Sequence, residues 1–265
     1  MWRAESSDGK VMAKRVWDNG GDVMVHAVFN GTHNGDLMGH AASGKAMGVE
    51  TFDIYSFADG KITKWHHYGN LPALLSQIGA IPDMPAAPIP AMPTGEPEIV
   101  TGDGNNEAVE SVRALYGKPI AEMAAACEAM TADDAVMHDL MAFKDQSKAE
   151  SKAANEAFAK AMPDAKVTSQ ELSPIGAYVI AECEGTATWT GDLGPMKATG
   201  KPITMHWVDV TRWDGGKVKE GWSFMNGAEM MPPPAPAPPT APPPAEGTVP
   251  AAPLKGSLIQ IDKDG

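Results

Sequence analysis

The chain matches itself at a fixed offset of 156 residues, and this internal repeat constrains its fold more than any other feature. Residues 8–70 align with 164–226 without a gap, giving 16 identities in 63 positions. An unrelated ungapped pairing would give about four identities at average residue usage. Asp53 and Asp209 are one of the identical pairs. The chain therefore contains two copies of one structural unit.

Alternating apolar residues bounded by turn signals predict four antiparallel strands in each copy. They lie at 9–17, 20–34, 46–57 and 61–70 in the first copy, and at 165–173, 176–190, 201–213 and 217–226 in the second. Asp59-Gly60 separates the last two strands of the first copy, and such a pair is a strong hairpin signal. Asp214-Gly215-Gly216 occupies the same place in the second copy.

Helical patterns precede only the strands of the second copy. Apolar residues at helical spacing predict helices over 105–116 and 119–130. Ser147 followed by Glu150 forms a capping box, which predicts a third helix ending at Pro163. Helices followed by antiparallel strands favour an α+β fold, in which helices cover one face of a curved sheet. The sheet and its helices then form a cone that can enclose a small-molecule pocket.

The repeat and two proline-rich tracts divide the chain into four segments. We expect a truncated first copy of strands only at 1–81, a proline-rich linker at 82–104, a complete second copy at 105–231 and a proline-rich tail at 232–265. Proline favours extended, hydrated backbone, so we expect the linker and tail to be unpacked. The missing helices suggest that Met1 is not the true start or that the first copy is a degenerate half. Bacterial cytoplasm and cell envelope both remain open.

Composition excludes several function classes. The net charge is −13 and Lys and Arg are not clustered, which argues against nucleic acid and an anionic membrane surface as partners. No apolar run is long enough to span a bilayer. Cys127 and Cys183 have no counterparts in the first copy and are predicted to be buried thiols, with a disulfide as the alternative.

Several short motifs together carry a family resemblance. The first copy reads Val25-His-Ala-Val-Phe-Asn-Gly-Thr-His-Asn-Gly-Asp-Leu37, Ser43-Gly-Lys45, Phe57-Ala-Asp-Gly-Lys-Ile62 and Leu71-Pro-Ala-Leu-Leu-Ser-Gln-Ile-Gly79, and the second adds Ala132-Asp-Asp-Ala-Val-Met-His-Asp139 and Met162-Pro-Asp164. This pattern resembles the SnoaL-like polyketide cyclase (ester cyclase) family of the nuclear transport factor 2-like fold. The resemblance implies two tandem cone-shaped domains, each a curved antiparallel sheet, with helices over one face.

The resemblance also implies a chemistry, an intramolecular aldol closure with an aspartate on the last strand as general acid/base. In the family pattern this aspartate lies seven residues after the hairpin glycine. His67 and Ser223 occupy that position in the two copies, so neither keeps the carboxylate. His67 can shuttle a proton near neutral pH, whereas Ser223 needs a partner.

The remaining candidates are mid-strand polar residues and pocket-lining side chains. Asp53 and Asp209 lie one row across from His67 and Ser223, and a carboxylate there is either functional or a hydrogen-bonded structural group. His138 matches a pocket-lining family position and is a candidate partner of Asp209 in catalysis. The residues expected to line the pocket are Tyr116, Phe143, Trp189, Trp207 and Ser223.

Neither a metal nor a cofactor is predicted. His26, His33 and His66-His67 match no closed zinc spacing, and strand alternation sends adjacent histidines to opposite faces. Two functions stay open. The first is a binding module for a small hydrophobic molecule that lacks the family's acid/base group; the second is a cyclase-, isomerase- or hydrolase-type enzyme using proton transfer in the second copy. We expect the two sheets to pair as an internal pseudo-dimer or with sheets of another chain.

Overall fold

Two mainly antiparallel sheets, one from each copy, form the centre of the computed structural model, which describes residues 2–81, 84–140, 144–194 and 196–231. The first sheet contains β1 (Lys10–Asp18), β2 (Asp22–Thr32), β3 (Ala46–Ala58), β4 (Lys61–Gly69) and β5 (Glu98–Val100). The second contains β6 (Thr131–Asp139), β7 (Lys144–Gln146), β8 (Lys166–Ile175), β9 (Tyr178–Thr188), β10 (Pro202–Asp214) and β11 (Lys217–Met225). The helices are α1 (Trp2–Glu5), α2 (Leu71–Ile78), α3 (Asn106–Tyr116), α4 (Ile120–Met130) and α5 (Lys148–Ala161), followed by a 3₁₀ helix at Gly227–Met230.

The repeat is preserved strand for strand. The strand orders are β4-β3-β2-β1-β5 and β7-β6-β11-β10-β9-β8, so the four repeated strands are arranged identically. Bounds of β2, β3 and β4 reappear in β9, β10 and β11 at the offset of 156 residues. Asp53 lies opposite His67, as Asp209 lies opposite Ser223. The α+β prediction, with the same curved sheet in both copies, is confirmed.

The hairpins that join the last two strands turn through left-handed backbone. Asp59 and Gly60 have φ of +50° and +70°, and Gly215 and Gly216 have φ of +56° and +73°. Two consecutive residues at positive φ match the twist of antiparallel strands, which explains the Asp-Gly and Gly-Gly sequences at these positions.

A single apolar core joins the two sheets. Its buried side chains come from one face of each sheet: Trp17, Met24, Phe52, Ile54 and Tyr68 of the first, and Ile175, Tyr178, Ile180, Val208, Val210, Trp222 and Phe224 of the second. The Arg15 guanidinium stacks against Trp17, Tyr178 and Trp222 at 4.8–5.5 Å from the ring centroids. Within one chain, each copy thus covers one face of the other copy's sheet. We call these the inner faces and the opposite ones the outer faces.

Polar groups also cross between the sheets. The Tyr68 hydroxyl donates to Glu182 Oε1 at 2.6 Å, and His66 Nδ1 contacts the same oxygen. A second carboxylate, that of Glu50, accepts from Lys14 at 3.2 Å and contacts His26 at 2.5 Å within the first sheet. Burial opposes its charge, but the hydrogen bond to His26 and the Lys14 charge lower the pKa of Glu50 to about 2.

Helices cover the two outer faces unequally. Ala108, Val109 and Val112 of α3 pack on the outer face of the second sheet, against Val179 and Trp213 among others. The predicted helices at 105–116 and 119–130 are observed as α3 and α4, and the capping box of Ser147 and Glu150 begins α5.

The expectation that residues 1–81 form strands only is wrong, because α2 follows β4. The Asn70 side chain caps its first turn, Pro72 fits there, and Gly79 ends it in left-handed backbone. Leu74 and Leu75 of α2 pack against Phe29 and other residues at one end of the first sheet's outer face. The rest of that face bears the exposed side chains Phe57, Ile62 and Trp65.

The linker at 82–104 is packed over the part that is described, contrary to the expectation of hydrated backbone. Residues 98–100 form β5, which pairs in parallel with β1. Gln77 and Asn30 donate to the carbonyl oxygens of Pro88 and Pro90 at 3.0 and 2.8 Å. Proline lacks an N–H but keeps its carbonyl acceptor, so a proline-rich segment can still be fixed by side-chain donors. The tail at 232–265 lies outside the described residues.

No helix in the described part of the chain has the length and apolar character needed to cross a membrane.

Both cysteines are free thiols, Cys183 buried and Cys127 half-buried.

Two phenylalanines on β3 provide a matched test of the shared core. Phe52 is fully buried between the sheets, whereas Phe57 is 44% exposed on the outer face. We expect Phe52→Ala to lower the free energy of unfolding by about 3–5 kcal/mol, because it leaves a cavity between the sheets. Phe57→Ala should lower it by about 1 kcal/mol or less. Urea unfolding followed by circular dichroism measures both.

Because one core serves both copies, we also expect Phe52→Ala to unfold in a single transition. Two transitions, of which the substitution moves only one, would show that the sheets fold independently.

Candidate active site

The outer face of the second sheet carries a carboxyl group beneath helix α3. Asp209 lies in the middle of β10, between Val208 and Val210 of the inter-sheet core, so strand alternation directs its side chain to the outer face. The Tyr116 hydroxyl donates to Asp209 Oδ2 at 2.5 Å, and Trp207 Nε1 donates to the same atom at 2.9 Å. The Ser223 side chain, directly opposite on β11, is a third hydrogen-bond partner.

Helix α3 positions the tyrosine. The Asn105 side chain accepts from the Ala108 N–H and caps the helix, while Ala108, Val109 and Val112 fix its apolar face on the sheet. Tyr116 is the last residue of the helix, and its ring meets that of Trp207 edge to face at 6.4 Å. The packing of α3 therefore places the hydroxyl over β10.

Burial governs the electrostatics of this cluster. It raises the pKa of Asp209 above its usual value, although hydrogen bonds from Tyr116, Ser223 and Trp207 act in the opposite direction. Burial and the neighbouring carboxyl raise the pKa of Tyr116 well above 10. Burial also raises the pKa of the Cys127 thiol to about 11. The cluster thus holds protons more tightly than the same groups in water.

The cluster is nevertheless accessible in part. Asp209, Tyr116, Trp207 and Ser223 are each half-buried, although apolar residues of α3, β9 and β11 surround them. A carboxyl group that is largely desolvated and still reachable can meet a small molecule. This combination is typical of a ligand or proton-transfer site.

Asp53 occupies the equivalent position on the first sheet, with different partners. Its Oδ1 accepts from Trp65 Nε1 at 2.8 Å and contacts His67 Nδ1 at 2.9 Å. Thr51 donates to Oδ2 at 3.3 Å. The structure thus brings together the predicted pair Asp53 and His67, but within the described ranges no counterpart of α3 lies above them.

Two predicted site residues lie away from Asp209. His138 pairs with Trp222 across β6 and β11 and stacks on it at 4.9 Å, which places it on the inner face. Its ring nitrogens contact Asp145 and Glu220 at 2.6 and 3.1 Å. The expectation that His138 assists Asp209 is therefore wrong, because the sheet separates them.

Trp189 also belongs to a different cluster. It is buried with Ala161, Met162 and Met205 near the end of α5, and its Nε1 donates to the Gly191 carbonyl at 2.6 Å. This is a core position at the end of the sheet. Phe143, expected to line the pocket, lies outside the described residues.

Sequence reasoning missed the partners of Asp53 and the polar groups between the sheets. Trp65 lies on the neighbouring strand β4, on the same face as His67 and two residues before it, and is therefore close to Asp53. Only the pairing register of β3 with β4 reveals this contact. Glu182 had a detectable signal, since a carboxylate at an inward position of an otherwise apolar strand requires a partner. Among the described residues, no group of three or more His, Cys, Asp or Glu side chains could hold a metal ion.

Comparison with known proteins identifies a family. The profile of the SnoaL-like polyketide cyclase family matches residues 1–78 and 117–232. The chain is similar in structure to AclR from Streptomyces galilaeus, with 23% identity over 46% of this chain and 92% of that chain and a TM-score of 0.39. It is also similar to IdmH from Streptomyces antibioticus, with 18% identity over 48% of this chain and 96% of that chain and a TM-score of 0.41. No curated protein matches the chain.

Removing the Tyr116 hydroxyl tests its hydrogen bond to Asp209. Tyr116→Phe keeps the ring and deletes one donor to a buried carboxyl, so we expect the free energy of unfolding to fall by about 1–3 kcal/mol. The pKa of Asp209 should rise further, because the lost donor favoured the charged form. Carbon-13 NMR titration of the carboxyl group measures the pKa. Tyr55→Phe, on the outer face of the first sheet, is the control and should change neither quantity.

Asp209 should also make stability depend on pH. Its pKa is raised in the folded state, so between the unfolded value of 3.8 and the folded value the native protein binds more protons than the unfolded chain. This contribution to stability is therefore present at low pH and is lost as pH rises through that window. We expect Asp209→Asn to destabilise most near pH 4 and progressively less at higher pH. Thermal unfolding at several pH values measures this; a pH-independent difference would contradict the raised pKa.

Proposed function

Because the chain belongs to the SnoaL-like polyketide cyclase family, we propose that its second copy binds a small hydrophobic molecule between the outer face of the second sheet and helix α3. The observation that carries this proposal is the Asp209 cluster. A carboxyl group held by three donors, surrounded by apolar side chains and still partly accessible, supplies one polar contact in an apolar site. Small-molecule sites commonly have this composition.

The surroundings of Asp209 indicate the character of the ligand. Apolar and aromatic side chains pack around the cluster, among them Val112, Met137, Leu172 and Trp213. The groups that set the pKa of Asp209 include hydrogen-bond donors and burial but no cation. An anionic ligand would meet no compensating charge there. A neutral molecule with one hydrogen-bond donor therefore fits this site best.

A comparison of the two copies supports the second as the binding copy. Both sheets hold an aspartate at the same strand position. Only in the second does a helix lie above it, and the Tyr116 hydroxyl of that helix donates to the carboxyl group. Desolvation strengthens the hydrogen bond that a ligand makes with the carboxyl group. Asp53 is also buried, at 8% exposure, but its Oδ1 already contacts the Trp65 indole and the His67 imidazole.

A second candidate function, proton transfer in a cyclase- or isomerase-type reaction, is favoured by the raised pKa of Asp209. A general acid or base works best when its pKa is near the working pH. Ser223 occupies the position of the family acid, and Asp209 lies directly opposite on the neighbouring strand. The Asp209 carboxyl group therefore lies beside the place that the family's aspartate would occupy on β11. His138 takes no part in this role, because it lies on the inner face.

Binding of the neutral fluorescent probe N-phenyl-1-naphthylamine tests the first proposal. The probe is apolar and carries one N–H donor. We expect its fluorescence to increase with the wild-type protein, and Asp209→Asn to weaken its binding by about five- to tenfold through the altered hydrogen bond. Asp53→Asn is the matched control, since it makes the same change at the same strand position without the helix.

The outcomes separate the alternatives. Binding weakened by Asp209→Asn but not by Asp53→Asn supports the site in the second copy. Equal binding of the probe by wild type and Asp209→Asn would show that Asp209 does not contribute to probe binding. Equal weakening by both variants would indicate a general loss of structure.

A further inference from the structure

Strand β4 has an open edge, whereas its counterpart in the second copy does not. β4 is the terminal strand of the first sheet, and within the described ranges no strand pairs with its outer edge. Its counterpart β11 pairs on that side with β6, in parallel. Residues 61–65 of β4 are exposed. An open edge presents unpaired backbone donors and acceptors to an incoming strand.

The pairing of β6 with β11 shows what such an edge accepts in this fold. Thr131 pairs with Val218, and Val136 with Glu220, with an irregularity between them. Within that irregularity, Lys219 Nζ donates to Asp134 Oδ1 at 2.6 Å. This hydrogen bond, with the Lys219 charge, lowers the pKa of Asp134. An acidic strand is thus held on a basic one.

The β4 edge is also basic. Its nine residues, Lys61–Gly69, contain two lysines, two histidines and no acidic residue, in a chain of net charge −13. Lys61 and Lys64 flank Thr63, which stands at the position of Lys219. Neither lysine forms an ion pair within the described part of the chain, although Lys64 lines a groove that also includes Asp22 and Glu171. The two histidines already contact Glu182 and Asp53.

Apolar surface continues from this edge. Ile62 and Trp65 of β4 are 56% and 50% exposed. Val218, the counterpart of Ile62, is buried, because α3 and its neighbours cover it. A segment added to the edge of β4 would therefore contact exposed apolar side chains as well as backbone groups.

We propose that the outer edge of β4 binds an acidic extended segment of another polypeptide, which adds to the first sheet as a strand parallel to β4. Backbone hydrogen bonds supply affinity in this mode, and side chains supply selectivity. Carboxylates facing Lys61 and Lys64 select the segment, and its apolar residues cover Ile62. The alternative role for these lysines is to prevent strand addition, since charged residues on an edge strand often block pairing with another chain.

A peptide of this chain's own β6, residues 131–139 (Thr-Ala-Asp-Asp-Ala-Val-Met-His-Asp), is the probe for the edge. It carries three carboxylates and already pairs with the counterpart of β4. The matched control peptide has Asn in place of Asp at positions 133 and 134. We expect the acidic peptide to bind the full chain, and the control to bind about three- to tenfold more weakly. Raising the salt concentration should reduce this difference.

Charge reversal on the protein provides the second arm. Lys61→Glu with Lys64→Glu should weaken binding of the acidic peptide, and a peptide with Lys at positions 133 and 134 should restore it. Lys10→Glu with Lys118→Glu makes the same change in net charge away from β4 and should leave binding unchanged. Hydrogen exchange should show new protection at 61–69 and none at 217–225, where the peptide would otherwise replace β6.

Several results would overturn the proposal. Absence of peptide binding, equal binding of the acidic and Asn peptides, or protection located away from β4 would each do so. Tighter peptide binding after charge reversal would assign the lysines to edge protection instead.

Discussion

The packing of two inner faces on one core determines where every polar candidate of this chain lies. Phe52 and Ile54 of β3, and Val208 and Val210 of β10, point into that core. Successive side chains of a strand alternate between faces, so Asp53 and Asp209 must point outward. The same rule places His138 inward, because its pairing partner Trp222 belongs to the core. The two candidate aspartates therefore lie on the outer faces, and His138 lies on an inner one.

The polar contacts between the sheets restrict how they pack. Apolar faces alone tolerate small displacements, whereas the Glu182 carboxylate must reach both Tyr68 and His66 of the other copy. Taking such a group out of water is unfavourable unless its hydrogen bonds are formed, so displaced arrangements that break them are penalised. The stacked Arg15 adds a further directional contact among three aromatic rings. These groups favour one mutual position of the sheets over its neighbours.

The sequence predicts those parts of the fold that depend on local patterns and on the repeat. An offset without gaps indicates equivalent strands in both copies, and the cap at Ser147 marks the start of α5. Other features depend on contacts that no local pattern records. β5 lies in a segment rich in proline and pairs with β1 through backbone groups. α2 is stabilised because its leucines pack on one end of the first sheet. The face of His138 depends on the register of β6 against β11, which includes an irregularity.

The candidate site shows the same division between repeat and context. The repeat predicts an aspartate at one strand position of each sheet. Two of its partners are also equivalent in the repeat: Thr51 and His67 in the first copy, and Trp207 and Ser223 in the second. The remaining donor differs, since Tyr116 of α3 donates to Asp209 and Trp65 of β4 donates to Asp53. One carboxyl group is desolvated by a helix, and its pKa rises. The other is buried beside Trp65 and His67 of its own sheet instead of under a helix. The surroundings of the two carboxyl groups therefore differ through what covers each sheet, although the sheets themselves place the two groups alike.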